Sequence, residues 1–214
     1  SVWPMERLRA VTDTGRRLGL TLHLDGARLW HATASTGIPE ADYAAPFDSI
    51  SVCFSKALGA PVGSCLAGSR NFISRARRFK QQIGGGFRQA GIIAAGALHA
   101  LNYHRARLPE VHAMAARFAQ GLAQLDRIVF DPATVETNIV RFQLRDVDSA
   151  SFVEEAYQRG LYMLPSGPNA VRAVFYLDIT PKDVERALTI IIETLRALQV
   201  NEPVAAGAVA GASY

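Results

Sequence analysis

The chain has 214 residues, of which 49% are hydrophobic and 20% charged, and its formal net charge is +4. This composition is ordinary for a soluble globular protein and can supply the core of one large domain or two modest ones. No apolar run reaches membrane-spanning length and no charged leader with a following apolar stretch is seen at the amino terminus, so no membrane partner is expected.

The first half of the sequence alternates between helical and strand-like patterns. In chain order it predicts a helix (Met5–Leu18), a strand (Leu20–Leu24), a short helix (Leu29–Thr36), a strand (Ile50–Phe54), a return strand (Gly63–Ala67), a basic helix (Arg70–Gln82) and a long helix (Phe87–Leu101). Residues 41–46 are expected to form a connector. The last helix is rich in Ala and Gly, which predicts close packing and burial.

The second half begins where the pattern changes, at residues 107–109. It predicts a helix (Val111–Leu125), a strand (Val135–Leu144), a helix (Ala150–Arg159), two short strands (Leu161–Leu164 and Val171–Leu177) and a final helix (Pro181–Leu198). Residues 107–200 are therefore expected to form a small α+β domain. The Ala/Gly-rich residues 201–214 are predicted to be a disordered tail.

The two cysteines, Cys53 and Cys65, both lie in apolar contexts. We expect them to be buried free thiols in a reducing compartment, since two isolated cysteines do not form a disulfide framework. The cytoplasm is the expected location.

A basic cluster lies between Arg70 and Arg88. It lacks the interleaved aromatic residues of a nucleic-acid-binding pattern, so a solvated helix face is the favoured interpretation and no nucleic-acid partner is expected. Anion binding is a further interpretation, because a phosphate or a carboxylate needs positive partners.

An aspartate and a lysine follow two of the predicted strands. Asp25 comes directly after the run Leu20–Leu24, and Lys56 closely follows Ile50–Phe54. In α/β sheets, strand ends of this kind feed the crevice where ligands bind. Pyridoxal phosphate needs a lysine amine for its Schiff base and an aspartate to keep its ring nitrogen protonated. The pair therefore predicts a pyridoxal phosphate enzyme.

Four motifs in one register make this sequence resemble the threonine aldolase family. They are His23–Trp30 (HLDGARLW), Cys53–Ser64 (CFSKALGAPVGS), Gly84–Gly91 (GGGFRQAG) and Glu136–Val140 (ETNIV). The resemblance extends from about Trp3 to about Leu198. It implies an α/β, fold-type-I pyridoxal phosphate enzyme that cleaves small β-hydroxy-α-amino acids, such as L-threonine or L-allo-threonine, to glycine and an aldehyde such as acetaldehyde.

The resemblance also implies an organisation. Members of the family are homodimers or homotetramers and carry a further amino-terminal part of the large domain. Residues 1–106 would accordingly be the carboxy-terminal part of the pyridoxal-phosphate-binding large domain, followed by the small α+β domain.

Four of the implied site residues cluster in the first two motifs. Lys56 would hold the cofactor as a Schiff base, with its amine desolvated, and Asp25 would bind the pyridinium nitrogen. Arg28 would face the phenolic oxygen of the cofactor and the substrate carboxylate, and Ser55 would touch the cofactor phosphate. Each also has a structural interpretation: a solvated loop lysine, a turn aspartate, a surface arginine and a strand-end cap.

Two further arginines are implied in substrate binding. Arg172, in a strand of the small domain, would clamp the amino-acid carboxylate, a task suited to a planar bidentate donor. Arg88 would reach an active site across a subunit interface. The segment after Arg172 departs from the family, which usually has Thr-His where this chain has Phe175-Tyr176. The histidines show no shared ligand spacing, so no metal site is assigned.

Three rival functions stay open at this point. A related pyridoxal phosphate lyase would carry out β-elimination and release pyruvate and ammonia instead of glycine and an aldehyde. An inactive remnant would fold without binding the cofactor. A basic nucleic-acid-binding module is a more distant alternative.

Overall fold

A computed structural model describes residues 1–200, which contain two β-sheets. The first sheet consists of β1 (His23–Gly26), β2 (Ser49–Cys53) and β3 (Ser64–Gly68) in that order. Strands β1 and β2 are parallel, and β3 returns antiparallel to β2. The carboxyl ends of β1 and β2 therefore lie side by side at one edge of the sheet.

Helices surround this sheet in the first half of the chain. They are α1 (Met5–Arg17), α2 (Leu29–Thr36), α3 (Glu40–Ala44), α4 (Arg70–Gln82) and α5 (Gly91–His99). A π-helical turn (Ala100–His104) and a 3₁₀ turn (Arg105–Arg107) then lead into α6 (Leu108–Leu122). The two halves are thus joined by successive helical segments.

The second sheet belongs to the second half of the chain. It contains β4 (Ile128–Val129), β5 (Ile139–Leu144), β6 (Leu164–Gly167) and β7 (Ala170–Val174), arranged antiparallel in the order β4-β5-β7-β6. A 3₁₀ turn (Pro132–Thr134) precedes β5, and the helices α7 (Ser149–Gln158) and α8 (Pro181–Val200) complete this half.

The largest hydrophobic core lies between the second sheet and its helices. Apolar side chains alternate along β5, so that Val140, Phe142 and Leu144 are buried while Arg141 and Gln143 are exposed. This core also takes in buried residues of α6, α7, β7 and α8: Val111, Ala115, Phe118, Ala119, Leu122, Phe152, Ala156, Val171, Ala173, Val184, Ile191 and Leu195.

The first half of the chain is held by two smaller clusters. One joins Trp30 and Leu58 to residues of α5 and α6, and the other joins Leu8, Leu29 and Tyr43. Every residue of β3 is exposed, and none of α4 is buried. The basic residues of α4 accordingly lie on an exposed helix.

Most of the predicted elements are confirmed within a few residues. The helices α2 and α4 have the predicted bounds, and α1 ends one residue early. Strand β3 forms the predicted return hairpin on β2. Strand β1 starts later than predicted, so Asp25 lies inside the strand instead of after it.

Other expectations are wrong. Residues 41–46 are not a simple connector, because the short helix α3 occupies most of them. Helix α5 begins at Gly91 instead of Phe87 and is largely exposed, with Ile92 79% accessible. Cys65 is exposed on β3, whereas Cys53 is buried as expected, and both thiols are free.

The predicted domain boundary falls in the 3₁₀ turn Arg105–Arg107, and the division into residues 1–106 and 107–200 stays a prediction. The predicted tail, residues 201–214, lies outside the described residues. Across residues 1–200, every helix is too short or too polar to cross a lipid bilayer.

Candidate active site

Asp25 and Lys56 lie at neighbouring carboxyl-terminal ends of the same pair of parallel strands, Asp25 as the next-to-last residue of β1 and Lys56 just after β2. Asp25 pairs in register with Ser51 of β2, and Lys56 follows that strand by three residues. The Asp25 carboxylate is exposed, and its Oδ1 accepts a hydrogen bond from the Ala27 amide at 3.1 Å. The turn interpretation of Asp25 is therefore realised, and the carboxylate stays accessible to a ligand.

Lys56 is carried by a tight turn after β2. The Gly59 amide donates to the Lys56 carbonyl at 3.3 Å, and the Ala60 amide donates to the Phe54 carbonyl at 3.0 Å. The Lys56 side chain is exposed, so its expected desolvation is not seen in the described chain. Within residues 1–200 its amine has no hydrogen-bond or ion-pair partner.

Ser55 is exposed next to the lysine. Its Oγ lies 3.2 Å from the Sγ of Cys53. Burial raises the pKa of the Cys53 thiol, but hydrogen bonds from Ser55, Ser64 and the Lys56 amide outweigh burial and lower it overall. The hydroxyl thus reaches back to the strand, as a strand-end cap does.

A cavity of about 1150 Å³ opens beside β1. Its lining includes Asp25, Arg28 and His31 from the first half, together with Arg141 from β5. Lys56, Ser55, Arg88 and Arg172 are not part of this lining. The cavity therefore unites two of the predicted site residues with two that the sequence did not indicate.

Arg28 stands at the amino terminus of α2, and its side chain is half-buried. Its Nε is fully shielded and has no hydrogen-bond partner. A buried N–H of this kind costs stability unless an acceptor meets it. Arg28 therefore offers an unused donor at the edge of the Asp25 cavity.

Arg172 occupies the middle of β7, directly opposite Arg141 of β5. Its Nε is also buried and without a partner, whereas Arg141 donates to the Oγ of Ser166 at 2.9 Å. Like charges opposite each other on antiparallel strands repel. This pair consequently favours an anion nearby, and Arg141 extends the positive charge into the cavity.

A histidine pair, which the sequence did not indicate, joins α2 to α6. His31 Nδ1 lies 2.9 Å from His112 Nε2, and the His31 side chain is only 2% exposed. Burial lowers the pKa of His31 to about 4, helped by the positive potential of His112 and Arg28, and burial also lowers the pKa of His112. No local signal predicts this contact, because 81 residues separate the two rings.

The remaining candidates have simpler surroundings. Arg88 is exposed between α4 and α5. His23 is an exposed strand residue whose Nδ1 lies 2.8 Å from the Ser49 Oγ. Asn138 of the fourth motif is buried and donates to the Phe175 carbonyl at 2.9 Å, which ties β5 to the end of β7. Among residues 1–200, no three His, Cys, Asp or Glu side chains converge on a point that could hold a metal ion.

The donor set fits pyridoxal phosphate. The exposed carboxylate of Asp25 suits a protonated ring nitrogen, and the amine of Lys56 suits a Schiff base. The shielded Nε atoms of Arg28 and Arg172 both lack an acceptor, which a carboxylate or phenolate oxygen would supply.

Comparison with known proteins agrees with this chemistry. The model of the β-eliminating lyase family matches residues 1–145. The low-specificity L-threonine aldolase of Escherichia coli strain K12 is 36% identical over 179 residues, covering 84% of this chain and 52% of that protein. The chain spans about half the length of the curated relatives that it matches.

Solved structures share the fold. The Leishmania major threonine aldolase superposes with a TM-score of 0.70 at 19% identity, covering 89% of this chain and 56% of that one. The α-aminoadipate aminotransferase of Thermus thermophilus, complexed with N-(5′-phosphopyridoxyl)-L-leucine, gives a TM-score of 0.70 at 14% identity, covering 92% and 55%. The predicted α/β, fold-type-I class is confirmed.

Proposed function

Because this chain belongs to the β-eliminating lyase family, we propose that it forms part of a pyridoxal-phosphate-dependent aldehyde-lyase. The substrates would be β-hydroxy-α-amino acids such as L-threonine or L-allo-threonine, cleaved to glycine and an aldehyde. The placement of Asp25 at the carboxyl end of β1 and of Lys56 just after the adjacent parallel strand β2 carries this proposal. Since the chain spans about half the length of relatives such as the Escherichia coli protein, the activity is proposed for the complete protein.

Bound pyridoxal phosphate supplies a conjugated ring that takes up the electron pair released when a bond to the substrate Cα breaks. Asp25 would accept a hydrogen bond from the ring nitrogen and keep it protonated. Its Oδ1 already accepts from the Ala27 amide, which restricts the rotation of the carboxylate. Lys56 Nζ, on its short turn, would bind the cofactor covalently.

The arginines would orient the substrate. Arg28 and Arg172 each hold a buried Nε–H without an acceptor, and a substrate carboxylate can satisfy such donors with charge-assisted hydrogen bonds. Arg28 lies at the edge of the Asp25 cavity, and Arg172 faces Arg141, which also lines it. Fixing the carboxylate in this way fixes which bond at Cα breaks.

Ser55 and Arg88 would take supporting roles. The Ser55 hydroxyl, one residue from Lys56, would contact the cofactor phosphate. Arg88 would reach the site of a second subunit in a homodimer or homotetramer. Exposed apolar side chains near it, such as Ile83 and Phe87, support such an interface. The free thiols of Cys53 and Cys65 support a cytoplasmic location.

The test is a visible absorbance titration of the complete protein with pyridoxal phosphate. The parent should develop a Schiff-base band, and Lys56→Ala should lack it and lose all threonine cleavage. Lys182→Ala, which removes an exposed lysine at the start of α8, is the matched control and should behave like the parent. Equal bands in the parent and Lys56→Ala would refute the assignment.

A second candidate reaction is β-elimination, which the name of the matching family favours. Product analysis separates the two activities. Glycine plus an aldehyde supports the aldolase, whereas pyruvate plus ammonia supports the eliminating lyase. A parent protein that shows no band at all would instead support an inactive remnant.

A further inference from the structure

We propose that His104 is a positioning residue for Lys56. It fixes the turn that carries the lysine and thereby sets the position of the lysine amine. This inference rests on the proposed function, in which Lys56 binds pyridoxal phosphate. It concerns a histidine 48 residues away in sequence that no motif indicated.

One hydrogen bond carries the inference. The Nδ1 of His104 lies 2.7 Å from the carbonyl oxygen of Leu58, two residues after Lys56. A carbonyl only accepts, so Nδ1 must carry the proton and donate. The imidazole thereby binds the backbone of the turn directly.

The surroundings of this bond are packed. Leu58 is 0% exposed and belongs to a cluster with Ala57, Ala60 and Ala100, the last of which starts the π-helical turn. The His104 ring is half-buried. Water competes little with a hydrogen bond in such surroundings, so losing this bond should destabilise the turn.

The backbone around His104 is itself unusual. His104 ends the π-helical turn Ala100–His104, between α5 and the 3₁₀ turn. Single π-turns within helices are rare and often occur at functional sites. The ring of His99, one turn earlier, lies edge-on to the His104 ring with the two centroids 5.3 Å apart.

Gly59 shows how closely the turn is confined. Its φ is +64°, and a Cβ at this position would lie 3.3 Å from Leu177 Cδ1 and 4.0 Å from His104 Nδ1. At Gly59 the turn thus lies between His104 and Leu177.

The experiment compares two polar replacements in the complete protein. His104→Asn places an amide nitrogen where Nδ1 was and can still donate to Leu58, whereas His104→Gln places it one bond farther out. His99→Gln is the matched control, since no hydrogen bond of the His99 ring occurs in the described residues. Cofactor affinity from the Schiff-base band and amide hydrogen exchange at Gly59 and Ala60 in the cofactor-free protein are measured together with Tm.

His104→Gln should weaken cofactor binding and speed exchange at both amides by about fivefold to tenfold, the equivalent of one hydrogen bond. His104→Asn should restore both, and His99→Gln should change neither. Cofactor affinity within twofold of the parent in His104→Gln, or no rescue by His104→Asn, would overturn the proposal.

Failure of the proposed function gives a different pattern. In that case the parent and Lys56→Ala give the same spectrum, while exchange at Gly59 and Ala60 still reports whether His104 fixes the turn. Accelerated exchange in His104→Gln then supports the positioning of the turn, and unchanged exchange overturns it.

Discussion

The two halves of the chain are stabilised in different ways. In the second half, four antiparallel strands and three helices enclose one continuous core, with Phe142 and Phe152 fully buried. In the first half, the sheet carries an exposed edge strand, and α4 has no buried side chain. The proposed cofactor-binding residues Asp25 and Lys56 lie on the less enclosed half. Accessible chemistry and a well-packed core are thus separated within this chain.

The largest expected effect comes from truncating an aromatic residue in each half, which tests whether side-chain packing stabilises the second half more than the first. Phe152→Ala should lower the free energy of unfolding by about 3 to 5 kcal/mol, because it leaves a cavity next to Phe142. Phe79→Ala, on exposed α4, should change it by less than about 0.5 kcal/mol. Denaturant unfolding of the complete protein measures both. A large effect of Phe79→Ala would mean that α4 packs against a surface beyond the described residues.

The histidine pair between the halves adds a pH dependence. His31 is neutral in the fold, with a pKa of about 4 against about 6.5 in the unfolded chain. The unfolded chain therefore binds more protons as the pH falls from 6.5, and the stabilisation present above this pH is lost down to about pH 4. The loss should reach about 2 to 3 kcal/mol.

The measurement is the difference in unfolding free energy between the parent and His31→Asn as a function of pH. This difference should become less favourable to the parent from pH 6.5 to 4. A flat profile for His31→Asn would contradict the prediction.

The smallest expected effect compares two helix caps. The Oδ1 of Asp148 accepts from the Ala150 and Ser151 amides at the start of α7, and the Ser69 Oγ accepts from the Phe72 amide at the start of α4. Asp148→Ala should cost about 1 kcal/mol of global stability, as the loss of a cap usually does. Ser69→Ala should fray α4 and leave the global transition almost unchanged. Thermal unfolding reports the change in global stability, and amide exchange reports the fraying of α4. Equal Tm shifts in the two variants would contradict the difference in stabilisation between the two halves.

Sequence predicted the parts of this fold that depend on local pattern. The apolar runs before Asp25 and Lys56 placed both residues near strand ends, and helical spacing gave the bounds of α2 and α4. The Ala- and Gly-rich helix was misjudged because small residues allow close packing without determining that a neighbour is present. The amino-acid composition shows that a helix face can pack closely, but only the tertiary structure determines whether another element covers that face.

Contacts between distant segments could not be predicted in this way. Arg141 faces Arg172 only because of the register between β5 and β7, and His31 meets His112 only because α2 packs against α6. The bond from His104 to Leu58 likewise depends on a π-helical turn that periodicity does not indicate. His31 and Arg141 line the Asp25 cavity and His104 binds the turn that carries Lys56, so the residues that support the proposed chemistry were harder to find than those that carry it.

The exposure of helix α4 has a consequence for the local unfolding of this helix. A helix without a buried face is held mainly by its own backbone hydrogen bonds, so it can unfold and refold while the rest of the protein stays intact. Such local opening makes a segment accessible to proteases, and α4 contains five basic residues at which trypsin cleaves: Arg70, Arg75, Arg77, Arg78 and Lys80. We therefore expect limited tryptic digestion of this chain to begin between Arg70 and Gln82 and to leave the packed second half intact.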